Sequence, residues 1–375
     1  MKKYILSIDQ STSASKVMVI NQDAQLVDRI TLPHQQYYPE KGMVEHDPQE
    51  IFENVSKGIK DVISRLDLSA GSIVALAITN QRETAMIWDR KTGKPIGNAA
   101  VWQCQRGLEW CNKLKESGME KTIREKTGLI IDPYFSAGKL HWMMNNIDGL
   151  KQKAAQGELA LGTMDSWLIW KLTGGKVHAT DHSNACRTML FNINTLRWDN
   201  DILHLADLHP SMLPHVKPSD SIFGYTAVDF NTGSIIPITG VLGDSHAALF
   251  GQNCFHPGMA KATYGTGSSI MMNIGNKPRI APHGLVTSIG YARNGTIDYV
   301  FEGNIHCTGD TINWLKNEIQ LISSAEEAEQ LAISVNENKG VYLVPAFVGL
   351  GAPYWDNEAR AAITGMGRDT TKAHI

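Results

Sequence analysis

An α/β protein built from two related domains that face one cleft is the fold class this sequence predicts, and three observations predict it. The 375 residues exceed what one core usually holds and fall short of three. Strand-length apolar runs alternate with stretches of helical spacing. The third observation is a device used twice: an apolar run, a hydroxyl-rich bend and a second apolar run, at YILSIDQSTSASKVMVI (4–20) and again at MAKATYGTGSSIMMNIG (259–275). Such a repeat suggests two domains that each give one bend to a shared site.

Taken in order, residues 4–8 and 17–20 read as strands around the first bend, and LVDRITLP (26–33) extends the meander. In HDPQEIFENVSKGIKDVISRL, Asp47 caps a helix, Pro48 suits its first turn and Glu50 completes a capping box; Phe52, Val55, Ile59, Val62 and Leu66 recur at helical spacing. The unbroken apolar run SIVALAIT (72–79) predicts a strand buried on both faces. AMIWDRKTGKPI predicts a hairpin turning at Thr92-Gly93. MDSWLIWKLTGG predicts a helix that ends at Gly174-Gly175, with Trp167, Ile169 and Trp170 in the core. At IIPITGVLGDSHAALFGQN the pattern restarts: a strand, an acid at its end and a helix beginning near His246. VPAFVGLGAPYWD (344–356) has no periodicity and reads as a shaped loop.

Composition narrows the function. Hydrophobic residues at 42% and charged residues at 19% exclude disordered and collagen-like classes. A net charge of -3 supplies no basic field for nucleic acid or anionic lipid, so small-molecule partners are expected. Cys104, Cys111, Cys186, Cys254 and Cys307 are odd in number and unpaired in spacing, which fits a reducing cytoplasm rather than a disulfide framework or a zinc knuckle. The opening MKKYILSI stops at Asp9, short of a signal peptide's apolar core, and no run approaches the ~20 apolar residues of a membrane span.

A concave bend rich in Ser, Thr and Gly offers N–H and hydroxyl donors that suit phosphate oxygens, although either bend alone also reads as a solvent-facing turn. Lys16 is placed to offset phosphate charge, and Asp9 to hold Mg2+ through water. Neither a P-loop nor a dinucleotide fingerprint occurs. In NQRET (80–84), Arg82 and Glu83 sit just past a strand end, where open α/β sheets bind ligands. They either pair with neighbouring charges or hold a polyhydroxy substrate, since each hydroxyl needs a donor and an acceptor. Asp244 reads both as a helix N-cap and as an ionised base for phosphoryl transfer. His204 and His209 have poor spacing for one metal and read as surface or core histidines.

The motifs DQST (9–12), ITNQRET (78–84), VWQCQR (101–106), GLIIDPYFSAGKL (128–140), GELALGTMDSWLIWKLTGG (157–175), NACRTMLFNI (184–193), GDSHAALFGQ (243–252), TYGTG (263–267) and PAFVGLGAPYWD (345–356) together resemble the glycerol-kinase branch of the FGGY carbohydrate kinase family, almost end to end. The resemblance implies an actin-like ATPase fold of duplicated ribonuclease H-like domains with a central cleft, divided here as 1–243 and 244–375. It implies ATP-dependent phosphorylation of glycerol with ATP and Mg2+ as cofactors, in the cytoplasm, with homo-oligomerisation left open. Position by position, Asp244 would be the general base; Arg82, Glu83, Trp102 and Tyr134 would bind the alcohol, with Asp244, Ser245 and Ser269 beside them. Thr12, Ser13 and Lys16 would meet phosphates from the first domain; Thr266, Gly309 and Asn313 would approach the nucleotide from the second; Asp9 would organise the metal.

The chain also departs from the family's pattern. Ser11 stands for a glycine, Lys16 for an arginine, Ser245 for a glutamine and Ser269 for a bulky aromatic. The last two widen the implied pocket, so a kinase of a larger polyol such as erythritol is the first alternative. The loop TAVDFNTGSIIPI (226–238) lacks the glycine- and arginine-containing pattern that binds fructose 1,6-bisphosphate in some relatives, which implies no such regulation. The chain ends at GMGRDTTKAHI, before the helix and glycine-rich motif that hold adenosine in the family. That implies an incomplete second domain, and makes a non-catalytic polyol-binding remnant the second alternative. A third, an actin-like ATPase without an acceptor, would leave NQRET unexplained.

Overall fold

The structure, a computed structural model, describes residues 2–69, 71–227, 230 and 234–375. A mixed six-stranded sheet runs in the spatial order Ile222–Tyr225, Pro237–Gly243, Ile73–Asn80, Tyr4–Gln10, Ala14–Asn21, Leu26–Pro33. Its three central strands, Pro237–Gly243, Ile73–Asn80 and Tyr4–Gln10, are parallel, and the meander 4–33 is antiparallel. The first bend is therefore only Ser11-Thr12-Ser13, and Asp9 and Lys16 are cross-strand partners inside the sheet. A four-stranded antiparallel sheet of Ala260–Tyr264, Ser268–Gly275, Thr296–Ile305 and Val286–Arg293 carries the second bend. The repeated device is thus two antiparallel hairpins, one in each sheet.

The helix Pro48–Arg65 packs Ile51, Val55, Ile59 and Val62, all fully buried, against the six-stranded sheet. Asp47 caps it by accepting from Gln49 N at 2.7 Å. The expected capping box does not form, because the Glu50 carboxylate turns away to accept from Gln35 N at 3.2 Å. The strand Ile73–Asn80 is fully buried on one face only: Leu76, Ile78 and Asn80 are buried, Ala75, Ala77 and Thr79 on the other face are half-buried, and Val74, 42% exposed, lies at a register shift. An unbroken apolar run concealed this alternation because Ala75 and Ala77, on the less covered face, are small enough to need little burial. Trp167, Ile169 and Trp170 of the helix Met164–Leu172 are in the core beside Trp88. The 92–93 turn forms, with Gly93 N donating to Asp89 O and Gly93 at φ +65.

A second core fills the space among the segments between 101 and 213 and the edge of the four-stranded sheet at Val286. Here the helices Leu108–Glu116 and Ser136–Asn146 touch backbone to backbone: a Cβ on Gly107 would stand 2.6 Å from the carbonyl carbon of Gly138. No side chain can swing aside to relieve that contact, so Gly107→Ala is expected to cost about 1 to 3 kcal/mol. Denaturant unfolding checks this. The contact matters for the site because Tyr134 lies two residues before the second of these helices.

Candidate active site

Both bends and the ends of both sheets open onto one cleft of about 420 Å³. A larger depression, about 550 Å³ around Arg197 and Trp198, lies elsewhere, and its acids Asp199 and Asp201 are both paired with Lys126. Chemistry converges on the cleft instead. Thr12, Ser13 and Lys16 border it from the first hairpin, and Gly265, Thr266 and Gly267 border it from the second. Lys16 Nζ also donates to Asp9 Oδ2 at 2.9 Å. Behind the first bend, His34 Nε2 meets Thr12 O at 3.0 Å and packs edge-on to His46 at 4.6 Å. Burial pulls both imidazoles down, His46 to about 3, so these two rings are neutral near neutral pH.

The second bend is braced from behind. Gly309 N donates to Gly265 O at 2.9 Å and Asp310 N to Thr266 O at 3.1 Å, so the first N–H groups of the helix Gly309–Asn317 are already used. A Cβ on Gly309 would stand 2.5 Å from Gly265 O, so glycine is needed for this approach. Gly309 therefore shapes the bend from behind and does not border the cleft; Asn313, one turn on, is exposed, and Asp9 also lies outside the lining.

Trp102 and Tyr134 form one wall, edge to face at 5.8 Å, and Trp102 Nε1 donates to Thr12 Oγ1 at 2.9 Å, tying this wall to the first bend. Arg82 and Glu83 follow the strand Ile73–Asn80, with Glu83 held at φ +60, a strained backbone for a non-glycine residue. The two charges do not pair with each other. Arg82 Nε donates to Asp244 Oδ1 at 3.1 Å, and its Nη2 lies 2.8 Å from Glu302 Oε1. Glu83 Oε1 accepts from Arg187 Nε at 2.6 Å. Pairing with neighbours and standing at a ligand cleft thus coexist for both residues.

Asp244 is the first residue of the helix Asp244–Gly251, whose N-cap is Gly243. It is not the N-cap, because its backbone has already entered the helix. Its Oδ1 accepts from Ser245 N at 2.6 Å as well as from Arg82, which leaves Oδ2 without a protein partner among the described residues. The side chain keeps 43% exposure toward the cleft. The enclosing walls push its carboxyl up from the ordinary range, with Arg82 opposing that and Glu83 adding to it. An open, basic oxygen on a carboxylate fixed through its other oxygen is what a proton acceptor requires.

Ser245 and Ser269 border the same space. Ser269 Oγ donates to Glu302 Oε1 at 2.9 Å and accepts from Lys261 Nζ at 3.3 Å. Burial pulls Lys261 down to about 8 although Glu302 supports its charge. Glu302, Arg187 and Lys261 escaped the sequence reading. A signal existed: each is a charge inside an apolar strand or a tightly packed turn, which is costly without a partner. Its partner lies too far along the chain to be read from spacing.

No group of His, Cys, Asp or Glu among the described residues is arranged as a metal site, and His204 and His209 are exposed. All five cysteines are free and buried. No helix among the described residues is long and apolar enough to cross a membrane. The middle of the loop 226–238, and with it the expectation about fructose 1,6-bisphosphate, lies outside the described residues.

Comparison with known proteins gives consistent matches. The sequence pattern of the N-terminal domain of the FGGY family of carbohydrate kinases matches residues 4–251, and that of its C-terminal domain residues 260–375. The chain is 54% identical over 372 residues to glycerol kinase 1 of Thermotoga maritima, covering 99% of this chain and 75% of that protein. It is 50% identical over 375 residues to the glycerol kinase of Petrotoga mobilis, covering 100% and 75%. The crystal structure of Plasmodium falciparum glycerol kinase with ADP superposes with a TM-score of 0.89 at 39% identity, over 100% of this chain and 75% of that one. A xylulose kinase from Lactobacillus acidophilus, at 21% identity and a TM-score of 0.85 over 99% and 74%, shares the fold. The chain thus spans about three quarters of the length of these relatives.

Proposed function

The chain belongs to the FGGY family of carbohydrate kinases, and from that premise we propose that it transfers the γ-phosphoryl group of ATP to a terminal hydroxyl of glycerol, giving sn-glycerol 3-phosphate and ADP. The observation that carries this reading is the Asp244 carboxylate, open at Oδ2 to a cleft flanked by two hydroxyl-bearing bends. The alcohol oxygen bonds to the γ-phosphorus as the bond to the β–γ bridging oxygen breaks, and Asp244 Oδ2 receives the hydroxyl proton. Glu83 accepts from an alcohol hydroxyl, Arg82 keeps Asp244 oriented, and Trp102 and Tyr134 cover the carbon chain. Such a site accelerates the reaction by positioning and charge neutralisation rather than by covalent chemistry.

Thr12, Ser13 and Lys16 bind the triphosphate from the half 1–243 and Thr266 from the half 244–375, with Gly309 bracing the second bend and Asn313 exposed on the helix that Gly309 begins. Asp9 would hold the magnesium that accompanies the triphosphate and helps neutralise its charge. Asp9 fits it because only Oδ2 is taken by Lys16, and magnesium keeps most of its waters and needs one or two carboxylates. Five free, buried cysteines and the use of ATP support a cytoplasmic location for this reaction.

The small hydroxyls Ser245 and Ser269 favour a second reading, a longer polyol such as erythritol in the same cleft. One experiment tests both. With ATP and glycerol, 31P NMR is expected to show glycerol 3-phosphate, with kcat/KM higher for glycerol than for a four-carbon polyol. The reverse order establishes the longer substrate, and no phosphorylated product from any polyol rejects the kinase reading for this chain.

A further inference from the structure

Glu302 lies on the strand Thr296–Ile305 and does not border the cleft. Its carboxylate is fully buried and accepts both arms of Arg82, Oε1 from Nη2 at 2.8 Å and Oε2 from Nη1 at 3.1 Å. Oε2 also takes Arg187 Nη1 at 2.8 Å, and Arg187 passes on to Glu83. Asp244, Arg82, Glu302, Arg187 and Glu83 therefore form a file of alternating charge whose two ends are the carboxylates that face the cleft.

We propose that Glu302 is a positioning residue for the alcohol: by gripping Arg82 and Arg187 together, it sets the spacing between the proton acceptor Asp244 and the hydroxyl acceptor Glu83. The inference rests on the kinase reading of the site. A carboxylate suits the task because it alone offers enough lone pairs to receive a two-pronged guanidinium and a second arginine at once. Ser269 donates to it as well, so the buried anion has a third source of donors. Glu302 comes from the four-stranded sheet, while Arg82 and Arg187 come from the other half of the chain, so the grip exists only with both halves apposed.

The test compares Glu302→Gln and Glu302→Asp with the parent chain. In Glu302→Gln, kcat/KM for glycerol is expected to fall about 100-fold, the scale of an ångström-sized misplacement. The acid limb of its pH profile is expected to move to lower pH, since losing one negative charge and freeing Arg82 toward Asp244 both favour the ionised carboxylate. Glu302→Asp keeps the charge, so its limb stays near the parent position with a smaller loss of rate. A folded Glu302→Gln with the parent's rate and limb overturns the proposal. So does a Glu302→Asp whose limb moves as far as that of Glu302→Gln. Should Glu302→Gln not fold, Glu302→Asp decides alone: a reduced kcat/KM supports the proposal and the parent's value overturns it. If the parent phosphorylates nothing, the kinase reading fails separately. The proposal is then read from the carboxyl 13C titration of Asp244, assigned with Asp244→Asn; a lower midpoint in Glu302→Gln supports it and an unchanged one overturns it.

Discussion

In Asp244→Asn, kcat is expected to drop by about 10² to 10⁴-fold while glycerol and ATP still bind, the range typical of losing a general base. The amide oxygen can keep the contacts that Oδ1 makes with Arg82 and Ser245 N, so the floor of the cleft survives. What disappears is the basic Oδ2, and an amide in its place cannot accept the alcohol proton. Arg82 retains Glu302 as its counter-ion, so the substitution does not strand a buried cation. Steady-state kinetics beside calorimetric titration with glycerol separate the two effects. The pH profile adds a second check. Because enclosure raises the Asp244 carboxyl above the ordinary aspartate range, the parent loses activity as pH falls through that raised value, and the variant should lose this limb. Retained turnover would move the base elsewhere.

Arg187→Ala should cost about 3 to 5 kcal/mol of stability, the penalty for removing one partner of a buried ion pair. Arg187 is fully buried between Glu83 at 2.6 Å and Glu302 at 2.8 Å, and its guanidinium also lies over the rings of Phe135 and Tyr134. Removing it leaves Glu302 paired with Arg82 alone and Glu83 without its ion-pair partner. The loss should depend on pH. Burial pushes Glu302 up, but Arg187 and then Arg82 more than reverse that, so in the parent its folded pKa is depressed. A depressed carboxyl contributes stability that is present above the unfolded pKa and lost as pH falls through the folded one. Without Arg187 that depression shrinks, and because the unfolded chains titrate alike the gap between parent and variant should narrow only as pH falls below the variant's folded Glu302 value toward the parent's lower one. Urea unfolding at several pH values measures it, and a constant gap would mean that packing over the two rings, not charge, is what Arg187 contributes.

Much of this site could be read from the sequence because its parts sit at the ends of strong local patterns. The two hairpins announced themselves through apolar runs around hydroxyls, and NQRET through its place after a strand. Trp102, Tyr134, Ser245 and Ser269, named through motif resemblance, do border the cleft. Spacing failed where the partner is remote: Arg82 and Glu302 are 220 residues apart, and nothing near Glu302 shows what its carboxylate meets. It also failed where several local fates compete for one side chain. Glu50 had a capping box open to it but serves Gln35 instead, and Asp244 enters its helix one residue later than a cap would. Gly309 shows a third limit, since a glycine required for close backbone approach looks the same in sequence as one facing a ligand.

Glu83 has one more consequence, for anyone seeking a hardier protein. Its left-handed backbone, at φ +60, is a conformation that glycine would adopt with less strain, and such strain is worth about 1 to 3 kcal/mol. Glycine there would relieve that strain but would leave Arg187 without the buried carboxylate it meets at 2.6 Å, a cost of about 3 to 5 kcal/mol that outweighs the gain. The same ion pair therefore holds the strained turn in place and presents the carboxylate to the cleft, so a thermostability screen on this chain should retain Glu83 rather than replace it.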